Sequence, residues 1–303
     1  MSKYKKGLKV HVPACLSFLA FGLKDMSIAL TAPGNEIKIS HASNDELYIS
    51  LYTKEKEDNK QYKDILYKIA KAFLDYVDAQ EGLDLQFYNR IPFGMGLGNL
   101  EANIAGMIFA ANDILKSHFT KKKILDFIRN FSVIFSLEIN PSNIAANLYG
   151  GIILYNENIS VPVQKLYSPS GINFTLIIND EEIFNPGIIF EDKESILKHN
   201  INIATLIKGL IVTDLDLIAD SLRARTYPFE DFLPWYKDIK DISLDNGVYA
   251  TGFNNRAESV FILNPNTLIR DNNTKAIKKY FSDNKLKLKT IDAEINLNGI
   301  FKF

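Results

Sequence analysis

One cysteine, Cys15, in 303 residues leaves no partner for an intramolecular disulfide, and four scattered histidines offer none of the Cys/His spacings that zinc needs. A reducing, cytoplasmic setting is expected. Charge of one sign is also missing: 35 Lys and Arg face 36 Asp and Glu, for a formal net charge of -1. Nucleic-acid binding requires a concentrated excess of cations to displace phosphate counterions, so no nucleic-acid partner is expected, and any nucleotide is a small ligand. No apolar run reaches the length that spans a bilayer, so no membrane partner is expected. Residues 10–23, preceded by Lys3, Lys5, Lys6 and Lys9, imitate a secretory leader. His11 and Pro13 interrupt that run, Lys24 and Asp25 close it, and the Leu30-Thr31-Ala32 cleavage candidate ends against Pro33. At 47% hydrophobic and 23% charged, the chain has the composition of a globular protein with one large domain or two, not of a disordered or collagenous one.

Partial alternation over 8–14, 36–40 and 47–53 predicts short strands. Tyr62, Ile65, Ile69, Phe73, Tyr76 and Val77 recur at three- and four-residue steps, predicting an amphipathic helix over 61–77. A strand follows over 83–91, then a break with three glycines over 92–98. Helical periodicity resumes at Leu100, Ile104, Ile108, Ala111 and Leu115, and another helix is predicted over 121–135. Gly150-Gly151 and a strand over 152–155 close this half. The polar stretch 156–170 suits a junction between domains 1–158 and 159–303. Beyond it come a strand at 174–178, a long helical region at 201–222 broken near Thr213-Asp214, and strands at 247–252, 259–264 and 286–294.

The chemistry lies in Pro92-Phe-Gly94-Met-Gly96-Leu-Gly98-Asn99-Leu-Glu101-Ala102, between a predicted strand and a predicted helix. Its glycines let backbone N–H groups converge where a helix dipole is positive, which suits a phosphate. Glycine-rich turns also arise for steric reasons alone. The loop has neither the Gly-Lys-Ser/Thr ending of a P-loop nor the G-x-G-x-x-G spacing of a dinucleotide fold.

With these residues in view, the chain resembles the GHMP small-molecule kinases, and within them the homoserine kinases. Their phosphate loop, Pro-x-x-x-Gly-Leu-Gly-Ser-Ser-Ala-Ala, is matched at Pro92, Gly96, Leu97, Gly98 and Ala102. Val12-Pro13-Ala14 through Gly22 and Ala29-Leu30 resemble the opening substrate-lining segment. Glu138-Ile-Asn-Pro-Ser-Asn143-Ile-Ala-Ala-Asn-Leu-Tyr-Gly150-Gly151 resembles Glu-Gly-His-Pro-Asp-Asn-Val-Ala-Pro-Ala-Leu-x-Gly-Gly. Gly209 with Asp214-Leu-Asp216, and Asn298-Gly299, agree in order. The resemblance implies an α+β, two-domain GHMP-kinase-like fold, with an N-terminal domain like ribosomal S5 domain 2 and a C-terminal ferredoxin-like α/β sandwich. It implies ATP and Mg²⁺ as cofactors and a small-molecule hydroxyl as acceptor, with a homodimer left open. It implies phosphate binding by Pro92, Gly94, Gly96, Leu97, Gly98 and Asn99, catalytic roles for Glu138 and Asn143, Mg²⁺ ligation by Glu138, and substrate contacts by Asp25 and Arg225.

Several positions depart from the family. Asn99 and Leu100 replace the loop serines, one of which helps hold Mg²⁺, and a neutral amide is a weaker partner for that ion than a carboxylate. Glu101 replaces an alanine at the helix start, where a carboxylate either competes with phosphate or simply caps the helix. Phe18 and Lys24 stand where the family has substrate-binding Asn and Asp, with Asp25 one residue late. Ser142 replaces an Asp, and Ile203 an expected Arg. Arg223 and Arg225 lie near another expected Arg, or are solvated helix-end charges. Asn254-Asn255-Arg256-Ala257-Glu258-Ser259 has lost both glycines and the proline of the third motif. Glu138 either ligates metal or faces solvent. Cys15 reads as a small buried side chain, since no histidine lies nearby to activate it.

Overall fold

Alternation of buried and half-exposed residues builds the central strands β1 (Leu8–Leu16) and β2 (Met26–His41). They pair antiparallel, with a register shift between Pro13 and Cys15. The computed structural model describes residues 7–17, 26–53, 59–179, 193–223, 233–254 and 259–303. The outer half of β2 pairs antiparallel with β4 (Leu83–Tyr88), which in turn pairs parallel with β3 (Tyr48–Tyr52). A parallel pair needs a crossover connection, here α1 (Asn59–Tyr76). The first residues of β2 pair with β5 (Ile152–Tyr155), which continues into β6 (Val163–Leu166). Near the end of the chain, β11 (Phe301–Lys302) adds to β1. Both β6 and β11 therefore join the first sheet although they follow residue 158.

Three helices pack on this sheet, α1, α2 (Asn99–Ile114) and α4 (Pro141–Tyr149), and α3 (Lys121–Ile134) packs against α2 and α4. At Gly106 of α2 a Cβ would lie 2.4 Å from Val12 Cγ2 and 2.6 Å from Ile37 Cδ1, so only glycine lets the helix come this close to the sheet. On the other face Glu36 pairs with Lys9 at 2.8 Å and Arg90 at 2.7 Å. The Lys9 hydrogen bond, aided by the Arg90 charge, lowers the Glu36 pKa from its ordinary 4.5. A depressed carboxylate stabilises the fold above its unfolded pKa. The stability gap between the wild type and Glu36→Gln should therefore be largest above pH 4.5 and shrink as the pH falls through the lowered native value, as urea melts across acid pH would show.

The second sheet is antiparallel throughout, in the order β10 (Leu288–Glu294), β7 (Asn173–Asn179), β9 (Ser259–Asn264), β8 (Ala250–Asn254). Phe174, Leu176 and Ile178 turn one face toward α5 (Lys193–Val212) and α6 (Leu215–Arg223), within the same apolar core that fills the first layer. Ile177, Phe253, Val260 and Ile262 turn the other face toward α7 (Pro234–Asp245) and α8 (Thr267–Asp283), in a core of their own. The break expected near Thr213 is present, with Thr213 at φ 57° between α5 and α6. α4, α7, α8, β6 and β11 were not anticipated from the sequence. Among the described residues no helix is long and apolar enough to cross a membrane.

Candidate phosphate-loop site

Gly94, Gly96 and Gly98 have φ values of 69°, 66° and 69°, in the left-handed region that side chains avoid. The turns they permit aim the loop's carbonyls into the protein. Leu97 O accepts the Cys15 amide at 3.0 Å, Gly96 O the Asn254 carboxamide at 3.0 Å, and Met95 O the Ser259 hydroxyl at 3.0 Å. Among the described residues, the amides of Gly94 to Leu100 donate to nothing. The loop thus turns its acceptor edge inward and leaves its donor edge unclaimed, which is the polarity an anion needs. Gly98 is also the N-cap of α2 and makes no side-chain cap bond, so the positive end of that helix adds to the same region.

α4 begins beside it. Its cap, Asn140, accepts the Ser142 amide at 3.0 Å. One turn in, Asn143 is 3% exposed, and its Oδ1 accepts the hydroxyls of Ser17 at 3.0 Å and Ser27 at 2.6 Å. With the oxygen held there, Nδ2 lies against Gly98, 3.1 Å from where a Cβ would stand. Asn143 therefore presents an amide donor to the loop. Ser142, where the family has Asp, shares its hydroxyl with Ser27 at 2.6 Å and Asn140 at 2.9 Å.

Glu101 does not turn into the loop. Its Oε1 accepts the Asn140 amide at 3.0 Å, so the carboxylate serves the start of α4 instead. Glu101→Ala should lower stability by about 1 kcal/mol through loss of this bond, as urea denaturation can measure. Asn99 contributes its backbone amide to the loop's donor edge, but its side chain is 7% exposed and turned into the body, donating to Ile91 O and accepting from Tyr62 Oη at 2.6 Å. Pro92 is half-buried and Leu97 is buried under the loop. Glu138 is an exposed carboxylate between α3 and α4. No group of three metal-binding side chains forms among the described residues. Asp25 and Arg225 lie outside the described residues, as do Phe18, Lys24 and residues 255–258. Ile203 is half-buried and packs against the core, and Arg223 bonds Val248 O at 3.3 Å.

Cys15 sits beneath the loop, fully buried, with Sγ near Asn143 O at 3.5 Å and the Asn147 carboxamide at 3.2 Å. Burial pushes its thiol well above the ordinary range, and the Glu101 charge pushes the same way. A thiolate reagent should therefore leave the native protein unlabelled and titrate one thiol only on unfolding. Four contributors were not singled out as site residues from the sequence: Ser17, Ser27, Asn254 and Ser259. A two-residue step from the loop-facing Cys15 could have indicated Ser17. Asn254 and Ser259 bound the third-motif segment, and nothing local marks Ser27.

Residues 64–151 match the family described as GHMP kinases N terminal domain. Over 293 residues the chain is 22% identical to a homoserine kinase of Chloroherpeton thalassium, covering 89% of this chain and 90% of that one. It is 24% identical over 306 residues to a homoserine kinase of Clostridium botulinum, covering 97% and 98%. In structure it is similar to the homoserine kinase of Cytophaga hutchinsonii, with a TM-score of 0.86 at 22% identity over 100% of this chain and 99% of that one. A mevalonate kinase of L. major aligns with a TM-score of 0.69 at 12% identity over 97% and 98%. Residues 64–151 thus match a GHMP kinase N-terminal domain, the fold is the one seen in homoserine and mevalonate kinases, and the chain is similar along its length to homoserine kinases.

Proposed function

We propose that the protein transfers a phosphoryl group from ATP to the hydroxyl of a small molecule in the cytoplasm, with homoserine the leading acceptor. The observation that carries this reading is the unclaimed amides of residues 94–100 beside the carbonyls of residues 95–97, which are tied inward. Amides fixed in this way stabilise phosphoryl oxygens without reorganising during transfer. The starts of α2 and α4 meet beside the loop and add positive potential there. Asn143 Nδ2 supplies one more donor at Gly98, oriented by Ser17 and Ser27. Homoserine is favoured because the similarity to homoserine kinases runs through nearly the whole chain.

A loose phosphoryl-transfer transition state needs positioning more than a strong base, which suits a site whose Asp has become Ser142. The described residues do not build a Mg²⁺ site: Asn99 Oδ1 is buried and accepts the Tyr62 hydroxyl, Glu101 holds the Asn140 amide, and Glu138 is an exposed carboxylate outside any described cluster. That same donor set favours a second reading, nucleotide binding without transfer. Incubation with ATP and homoserine separates the readings. Homoserine-dependent ADP release supports the kinase, and nucleotide binding without ADP release supports the second reading. ADP release with another hydroxyl acceptor in place of homoserine keeps phosphotransfer and replaces the substrate.

A further inference from the structure

We infer that the loop reads a nucleotide's phosphates through backbone amides, without a metal ion held by the protein, and that Tyr62 is the positioning residue that enforces this. The inference rests on the nucleotide-site reading above.

The position from which a loop side chain would reach a metal belongs to Asn99, and its oxygen is buried and turned into the body. An sp² carboxamide oxygen has two lone pairs. One accepts the Tyr62 hydroxyl at 2.6 Å, and the other faces Asn103 Nδ2 at 3.3 Å, whose two protons go to the shorter contacts with Tyr62 Oη and Asn89 Oδ1. The amide nitrogen of Asn99 donates to Ile91 O. Rotating the oxygen out toward a ligand would break all of these bonds and strand buried polar groups, each of which is costly to leave unpaired.

Tyr62 is itself held in place. Its hydroxyl accepts Asn103 Nδ2 at 2.8 Å, and its ring meets Phe93 edge-on, with centroids 5.0 Å apart and planes at 78°. Asn103 is anchored in turn, donating to Asn89 Oδ1 at 2.8 Å and accepting from Asn35 Nδ2 at 2.9 Å. Asn35 Oδ1 closes the circuit by accepting the amides of Arg90 at 2.8 Å and Ile91 at 2.9 Å, where the chain enters the loop. One buried network therefore grips the loop at its entrance, residues 90 and 91, and at its exit, residues 99 and 103. Tyr62 joins that network to α1. Mg²⁺ favours carboxylate and water oxygens in near-ideal octahedra, and a neutral amide oxygen that is buried, turned into the body and bonded to the Tyr62 hydroxyl is poorly placed to serve it.

The test is calorimetric titration of ADP into the full chain, once with Mg²⁺ and once with EDTA, for the wild type, Tyr62→Phe and Asn99→Ser. The wild type should bind ADP in both buffers with affinities within about a factor of two. In the variants an oxygen is released toward the loop, and Mg²⁺ should now strengthen ADP binding by about tenfold. A purely structural role for Tyr62 would change affinity equally in both buffers. Wild-type binding lost in EDTA would overturn the inference while leaving the nucleotide site standing. Binding in neither buffer would overturn both. Variants as indifferent to Mg²⁺ as the wild type would remove Tyr62 and Asn99 from the role assigned to them.

Discussion

Asn254→Ala is expected to weaken ADP binding at least tenfold and to lower stability by about 3 kcal/mol, because one buried side chain makes the contacts that shape the loop from behind. Asn254 is fully buried at the end of β8. Its Nδ2 donates to Gly96 O at 3.0 Å, lies 3.4 Å from Met95 O, and meets the Ser259 hydroxyl at 3.1 Å. Its Oδ1 accepts the Ser17 amide at 3.0 Å. Alanine would leave Gly96 O and the Ser17 amide buried and unpaired, and would free Gly96 O to turn outward, where it repels phosphate, while Ser259 still holds Met95 O. Urea melts and ADP calorimetry on the variant read the two effects separately. A variant of unchanged stability that still binds ADP normally would show that the loop holds its polarity without this clasp.

Asn143→Ala should lower homoserine-dependent turnover by about 10² to 10³ with little change in the KM for ATP, as removal of one preorganised donor does elsewhere. The Asn143 oxygen is fixed by Ser17 and Ser27, so its side-chain donor faces Gly98, beside the proposed phosphate site. Asn143→Asp separates this role from a structural one. It keeps an acceptor for both serines but replaces the donor with an anion, and should be at least as inactive. Steady-state ADP release measures both variants. Full activity in Asn143→Asp would rule out the donor role.

The elements legible in the sequence are those whose pattern is local. The stripe from Tyr62 to Val77 runs along α1, and the three glycines at 94, 96 and 98 mark the turn before α2. α4 was missed because every residue from Ser142 to Leu148 is buried, so it has no polar face to reveal a period. α8 hides for another reason: Asn273 and Thr274 occupy buried positions that a periodic reading expects to be apolar. For the candidate site, the family resemblance pointed to the loop and Asn143, but it could not show which way side chains turn. Glu101 read as a competitor for phosphate or a cap for its own helix, yet it caps α4, whose start approaches only in the folded protein. The loss of the third-motif glycines pointed to a reshaped wall. The positions of those glycines lie outside the described residues, but Asn254, where the motif has a serine, clasps a loop more than a hundred residues away, a contact no local signal carries.

The central claim is that the amides of residues 94–100 form the ligand-facing edge of the site. Its most direct test is an NMR titration of ¹⁵N-glycine-labelled protein with ADP. The account predicts saturable shifts of the Gly94, Gly96 and Gly98 amide resonances, larger than those of Gly106, which packs against the sheet at Val12 and Ile37. Saturable binding of ADP that left those three resonances unmoved would contradict it.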